Sequence, residues 1–144
     1  MVRIGKGLGL YLAVLFALFM AVGTALAMDH AVQTMKKEGA GNYLADAKGT
    51  TLYWFTKDTP GKSACSGPCV EKWPLFFREK VMAGTGLMEG DFGTITREDG
   101  KKQTTFRGYP LYYWMGDKAK GDTNGQGMNK VWYVVDPANF PPKM

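Results

Sequence analysis

LYWFTKD at residues 52–58 and LYYWMGD at residues 111–117 are nearly one phrase written twice in a chain of 144 residues, fifty-nine positions apart (111 − 52). Sliding the chain by that offset brings further residues into register without a gap. Lys48-Gly49 falls on Arg107-Gly108, Leu52-Tyr53 on Leu111-Tyr112, Phe55 on Trp114, Asp58 on Asp117, and Trp73 on Trp132. Composition does not hold a turn residue, an aromatic, an acid and a tryptophan at fixed spacing, so the sequence predicts an internal duplication.

Each unit reads as a turn at glycine, a strand, an acid at the strand's end, a loop and a returning tryptophan. Tyr53 and Phe55 share a face by the two-residue period of a strand, as do Tyr112 and Trp114. One unit alone would leave that aromatic face in water, whereas two units related by a pseudo-twofold axis can bury each other. Further strands are predicted in NYLADAKGTTLYWFT (42–56), with a turn at Asp46–Gly49, and in TITREDGKKQTTF (94–106), with a turn at Asp99-Gly100. PLYYWM (110–115) and KVWYVVD (130–136) complete the set. The fold class is mainly β: an internally duplicated, pseudo-twofold antiparallel β domain with long loops, spanning 42–144, with repeats at about 42–77 and 101–137.

The pattern Tyr-x-aromatic-x-x-Asp, present as YWFTKD (53–58) and YYWMGD (112–117), resembles the secreted repeat family of bacterial lipoproteins known by its YX(FWY)XXD motif. The flanking stretches DTPGKSACSGPCVEKWP (58–74) and GDTNGQGMNKVWYVVDP (121–137) are also similar to that family, so the resemblance runs from Asn42 to Pro137. It implies export, but no reaction, because the family is defined by its repeat. Met28, not cysteine, follows the expected cleavage site, which separates this chain from lipid-anchored members.

Arg3 and Lys6 precede an apolar run from Leu8 to Val22, and Ala25-Leu26-Ala27 offers the small residues that a signal peptidase reads. Residues 1–27 are therefore expected to be a signal peptide, 28–41 a flexible segment with a short helix near Ala31–Glu38, and the remainder one domain. The rival reading is an uncleaved membrane anchor, since a bilayer-spanning helix needs roughly 20 apolar residues. Either places the domain in the periplasm or outside the cell. The formal charge of +5 becomes +3 without Arg3 and Lys6 (5 − 2), and the lysines are scattered. That balance lacks the basic stripe of a nucleic-acid-binding protein.

Several constellations bear on chemistry. Cys65 and Cys69, in CSGPC, are the two cysteines of an exported chain, and a disulfide is the expectation. Haem attachment would need Cys-x-x-Cys-His, and structural zinc about four N or S ligands, more than two Cys and one His supply. A copper or thiol-redox site at Cys65 and Cys69 is an alternative, because thiolates suit Cu(I). Cleavage after Ala27 would expose Met28-Asp29-His30, a terminus able to enclose square-planar Cu(II) through His30. Asp122, Asn124 and Gln126 in DTNGQG (122–127) match the opening of a calcium loop, although Tyr133 stands where a bidentate Glu belongs.

Asp58 and Asp117 are read as loop-holding acids that accept from amides and tyrosine hydroxyls, with a glycosidase-like acid pair as the competing reading. A Ser–His–Asp arrangement would have to use His30, within the flexible segment. Tyr109, Tyr113 and Trp54, on the faces opposite the motif residues, are expected to be exposed ligand candidates. The functional expectation is an exported, non-enzymatic binding or interaction module of the cell envelope, without a cofactor, whose partner the sequence does not name. Copper or thiol-redox chemistry and calcium binding are the alternatives.

Overall fold

Alternating side chains and glycine turns build two hairpins of the same design. The computed structural model describes residues 31–143; the expected signal peptide 1–27 and the copper candidate His30 lie outside the described residues. In chain order the elements are β1 (Ala31–Lys37), β2 (Gly41–Asp46), β3 (Tyr53–Phe55), α1 (Pro68–Lys72), β4 (Met82–Ala83), β5 (Phe92–Thr96), β6 (Lys102–Phe106), β7 (Tyr109–Pro110) and β8 (Trp132–Val134). The molecule is mainly strand, as the sequence predicts.

The first hairpin pairs β1 with β2 from Val32↔Asp46 to Lys37↔Gly41, and the second pairs β5 with β6 from Phe92↔Phe106 to Thr96↔Lys102. The predicted turns follow. Gly49 and Gly108 both adopt positive φ, 85° and 90°, where a side chain would be strained. Ala31–Lys37 is a strand, not the helix or flexible stretch expected there. Its two lysines hide the alternation, but Val32 is buried, and backbone pairing to β2 outweighs the weak local helix preference.

The duplication is interlocked rather than side by side. β3 pairs antiparallel with β8 of the other repeat, Tyr53↔Val134 to Phe55↔Trp132, and Thr56 N donates to Val131 O at 2.9 Å. Fifty-nine positions on, Met115 N donates to Lys72 O, also at 2.9 Å, and Tyr113 N to Pro74 O at 2.7 Å. Each motif strand thus pairs with the other repeat's return strand. At the axis the motif strands pair with each other, Tyr53 N donating to Tyr112 O at 2.8 Å and Tyr112 N to Tyr53 O at 3.0 Å. The order Leu75–Tyr112–Tyr53–Val134 forms one antiparallel array through the middle of the molecule.

The two faces of this array carry two cores. Leu52, Trp54 and Leu111 point into one, with Val32, Leu44, Phe76, Phe106, Val135 and Phe140. Tyr53 and Tyr112 point into the other, with Tyr43, Ala45, Cys65, Trp73, Trp132 and Val134. This corrects the expectation for the opposite face. Trp54 is buried, set edge-on to Tyr109 and Phe140 at 5.6 and 5.1 Å between ring centroids, while Tyr109 and Tyr113 are partly buried against the same core. In a domain this small both faces of a central strand are needed for burial, each large side chain contributing roughly 1.5–3 kcal/mol.

A chain restricted to residues 31–91 retains one hairpin and one motif strand but loses both cross-repeat ladders. It is expected to show no near-ultraviolet circular dichroism and rapid amide exchange throughout; a cooperatively folded fragment would contradict the interlocked assembly.

Candidate functional site

The motif residues converge at the pseudo-twofold axis, and their bonds cross it. Tyr53 OH donates to Asp117 Oδ2 at 2.7 Å, while Tyr112 OH donates to Asp58 Oδ2 at 2.6 Å. Each tyrosine is held by the acid of the other repeat. The second carboxylate oxygens hold the loops: Ala64 N donates to Asp58 Oδ1 at 2.6 Å and Asn124 N to Asp117 Oδ1 at 2.9 Å. The loop-holding role read from the sequence agrees with this geometry. The exchange of partners was not legible, because the motif spacing is the same whichever repeat supplies the acid.

Four rings stack behind these bonds. Phe55 lies flat on Trp132 at 4.2 Å and Trp132 on Trp73 at 3.9 Å with 4° between planes, while Trp114 meets Trp73 at 4.3 Å, tilted by 36°. The column alternates between repeats, and each tyrosine meets its own repeat's tryptophan edge-on, Tyr53 on Trp73 and Tyr112 on Trp132. Such contacts add about 0.5–1.5 kcal/mol apiece beyond area burial. A Cβ on Gly125 would sit 2.9 Å from Trp73 Cη2 and 3.0 Å from Tyr53 Cε1, so only glycine lets the second loop close over these rings.

The two loops after the acids are held by different means. In the first, the Cys65 and Cys69 sulfurs are 2.01 Å apart, with Cys69 on α1. Arg97, buried at the start of the second hairpin's turn, donates to Ser63 Oγ at 2.7 Å, Gln103 Oε1 at 2.8 Å and Cys65 O at 2.5 Å, and pairs with Asp99. Ser63 Oγ is 2.6 Å from the Tyr112 hydroxyl, so Arg97, Ser63, Tyr112 and Asp58 form one chain of hydrogen bonds. Sequence reasoning missed Ser63, Arg97 and Gln103; a polar strand residue and a turn arginine carry no signal of burial.

The second loop uses packing and main-chain bonds. Asp122 Oδ2 accepts from Lys118 N and Ala119 N, Asn124 Nδ2 donates to Gly116 O, and Gln126 Oε1 accepts from Val134 N at 2.7 Å. The side chains of the calcium reading thus serve separate contacts, Asp122 and Gln126 through an oxygen and Asn124 through its amide nitrogen. Among the described residues no group of three or more His, Cys, Asp or Glu is placed to hold a metal ion.

Burial drives the electrostatics. It pushes the Tyr53, Tyr112 and Tyr113 hydroxyls well above the ordinary phenol value of 10.0, and the carboxylates that they face, Asp117, Asp58 and Asp46, push in the same direction. It also raises Asp58 and Asp117 above the usual carboxylate value, opposed by the Ala64 amide and Tyr112 at the first and by Tyr53 and the Asn124 amide at the second.

An open groove of about 480 Å³ lies beside β8, with Trp54 and Phe140 beneath it and Gln126, Lys130, Tyr133 and Asp136 along it. Asn129 and Lys130 hold positive φ of 54° and 59°, a conformation that non-glycine residues adopt at a cost. Among the described residues the Lys130 ammonium takes part in no salt bridge.

Residues 34–76 and 93–136 match a lipoprotein family described as a secreted repeat of unknown function, and together they cover more than half of the chain. The matched segments start fifty-nine positions apart (93 − 34), the offset seen in the sequence, and each starts eight residues before the repeat bounds expected at 42 and 101 (42 − 34 and 101 − 93). No curated protein and no solved structure matches the chain. Among the described residues no helix is long and apolar enough to cross a membrane.

Two outcomes follow from the crossed pairs. Asp58→Ala leaves the Tyr112 hydroxyl only Ser63 as partner and strands the Ala64 amide, and is expected to cost roughly 1–3 kcal/mol, which lowers Tm by on the order of 5–15 °C in a domain of this size. Asp117→Ala is expected to act in the same direction, and Asp58→Asn to be milder. The tyrosines' folded-state pKa values exceed 10.0, so their contribution is intact below pH 10 and is lost as pH rises beyond it. Asp58 and Asp117 are raised too, so acidification does not weaken these two sites. Denaturant midpoints measured across alkaline pH, beside the Tyr53→Phe and Tyr112→Phe variants, check the sign.

Proposed function

The chain belongs to this family of secreted repeats, and on that premise we propose that it is an exported binding module of the cell envelope without catalytic activity. The observation that carries the reading is the groove beside β8. It joins an apolar floor, Trp54 and Phe140, to a polar rim of Gln126, Lys130, Asp136 and Asn139, the mixture by which small-molecule sites combine affinity with orientation.

Comparison of the two repeats supports the assignment. At the offset of fifty-nine, Gln126, Lys130, Tyr133 and Asp136 correspond to Gly67, Glu71, Pro74 and Phe77, so these lining positions differ in chemistry between the repeats. The motif residues that hold the fold are instead kept alike. A non-enzymatic role is supported by the occupation of the two motif acids, each already accepting from a tyrosine and an amide. The reading requires no metal or cofactor.

Amide chemical shifts of the isotope-labelled protein, titrated with N-acetylglucosamine, L-phenylalanine and benzoate, test the groove. At least one probe is expected to move Gln126, Lys130 and Asn139 while leaving the hairpins unchanged. Tyr133→Ala is expected to weaken that probe about tenfold, or roughly 1.4 kcal/mol. Shifts confined to residues outside the groove would count against the assignment.

A further inference from the structure

The column of rings behind the motif bonds has a different chemistry at each end. It runs from Phe55 through Trp132 and Trp73 to Trp114. Trp73 and Trp132 are buried, whereas Phe55 and Trp114 are half-buried and reach the surface. Phe55 and Trp114 are counterparts at the repeat offset (55 + 59), and an indole gives up an electron far more readily than a benzene ring. One end of the column is thus open to one-electron oxidation, and the other is closed.

The three indoles are in contact along the column, with ring centroids 3.9 Å apart for Trp132 and Trp73 and 4.3 Å apart for Trp73 and Trp114. Electron transfer weakens steeply with distance, so rings this close exchange an electron directly. Two buried phenols flank the inner pair, Tyr112 edge-on to Trp132 at 5.0 Å and Tyr53 edge-on to Trp73 at 5.4 Å. Each phenol already points its proton at a carboxylate, Tyr112 at Asp58 Oδ2 and Tyr53 at Asp117 Oδ2.

A main-chain carbonyl would satisfy a buried phenol equally well as an acceptor, but a carboxylate can also take its proton. A phenol that has lost an electron is a strong acid, and transfer of its proton converts a phenol and a carboxylate into a neutral phenoxyl radical and a neutral carboxylic acid. Burial favours that product, because it disfavours the charged form, and it already raises both aspartates above the usual carboxylate value. The other partner of each phenolic oxygen is a donor that stays in place, Ser63 Oγ at 2.6 Å from Tyr112 and the Gly125 amide at 3.1 Å from Tyr53.

We propose that Trp114, Trp73 and Trp132 carry one-electron oxidation from the surface to the tyrosines at the axis, with small inorganic radicals as the class of oxidant. The radical takes one electron from Trp114 and leaves as its anion. The vacancy passes along the indoles and is filled by an electron from Tyr112 or Tyr53. The phenolic O–H bond breaks, and its proton forms the carboxyl O–H of Asp58 or Asp117. The oxidant is reduced by one electron and the tyrosine oxidised by one. None of these residues lines the groove beside β8, so this activity is separate from ligand binding there.

The test exposes the full chain to a pulse of azide radicals, which oxidise indoles in preference to phenols, and follows transient absorbance. The indolyl signal is expected to convert to a phenoxyl signal in a first-order step whose rate is independent of protein concentration. Trp114→Phe is expected to lower the phenoxyl yield tenfold or more, as is Tyr53→Phe combined with Tyr112→Phe. Tyr109→Phe, which removes the phenol beside Trp54, is expected to leave the yield unchanged. Asp58→Asn with Asp117→Asn keeps an acceptor at each phenol but no base, and is expected to slow the phenoxyl step tenfold or more without changing the initial indolyl yield. Near-ultraviolet circular dichroism checks the fold of each variant, and Trp114→Phe, at the half-buried end, carries the test if the axis variants unfold. A rate that rises with concentration, a full phenoxyl yield in Trp114→Phe, a yield lost in Tyr109→Phe, or an unchanged rate in the folded asparagine pair would each overturn the proposal.

Discussion

Tyr53 and Tyr112 exchange main-chain hydrogen bonds across the pseudo-twofold axis, and each sends its hydroxyl into the other repeat's aspartate. The arrangement of the rest is bound to that exchange. It fixes the register of the central array, brings the return strands to opposite sides, and places Trp73 and Trp132 face to face. A buried hydroxyl without an acceptor is costly, and here each acceptor lies in the other half. Neither repeat can be completed without the other.

On this symmetric frame the loops have diverged. The Cys65–Cys69 bridge and Arg97 hold the first from both ends, with Ser63 linking them to the tyrosine at the axis. Asn124 and Met128 occupy the corresponding positions of the second loop (65 + 59 and 69 + 59), which closes through Gly125 against Tyr53 and Trp73. A covalent staple tolerates a range of neighbouring side chains, whereas ring-to-backbone contact demands one residue. The two solutions leave different surfaces above the same core. The groove beside β8 belongs to the second.

Much of the architecture was legible because repetition and the two-residue period are properties of order along the chain. The strand pair in TITREDGKKQTTF needs only its β-branched residues and Asp99-Gly100, and it lies where the pattern puts it, in β5 and β6. AVQTMKK at 31–37 was not legible, since its lysines suit a helix face and its strand character comes from β2. Trp54 was assigned to the surface because alternation divides a strand into two faces without saying that both are covered. Phe140, which covers it, lies eighty-six positions away (140 − 54). Of the candidate site, the acids and aromatics announced themselves by duplication. Arg97, Ser63 and Gln103 occur once, and their burial follows from tertiary placement.

The interlocking also bears on how such a molecule can arise. A single ancestral unit carrying one tyrosine, one aspartate and one tryptophan would have met every requirement of the crossed pairs by pairing with an identical chain, and by no other simple route. Folding of that ancestor would have been second order in chain concentration. Fusing the two copies replaces encounter with tethering, so the partner is present at a fixed effective concentration even after dilution. Once joined, the halves were released from identity, and one loop could acquire cysteines while the other acquired a groove.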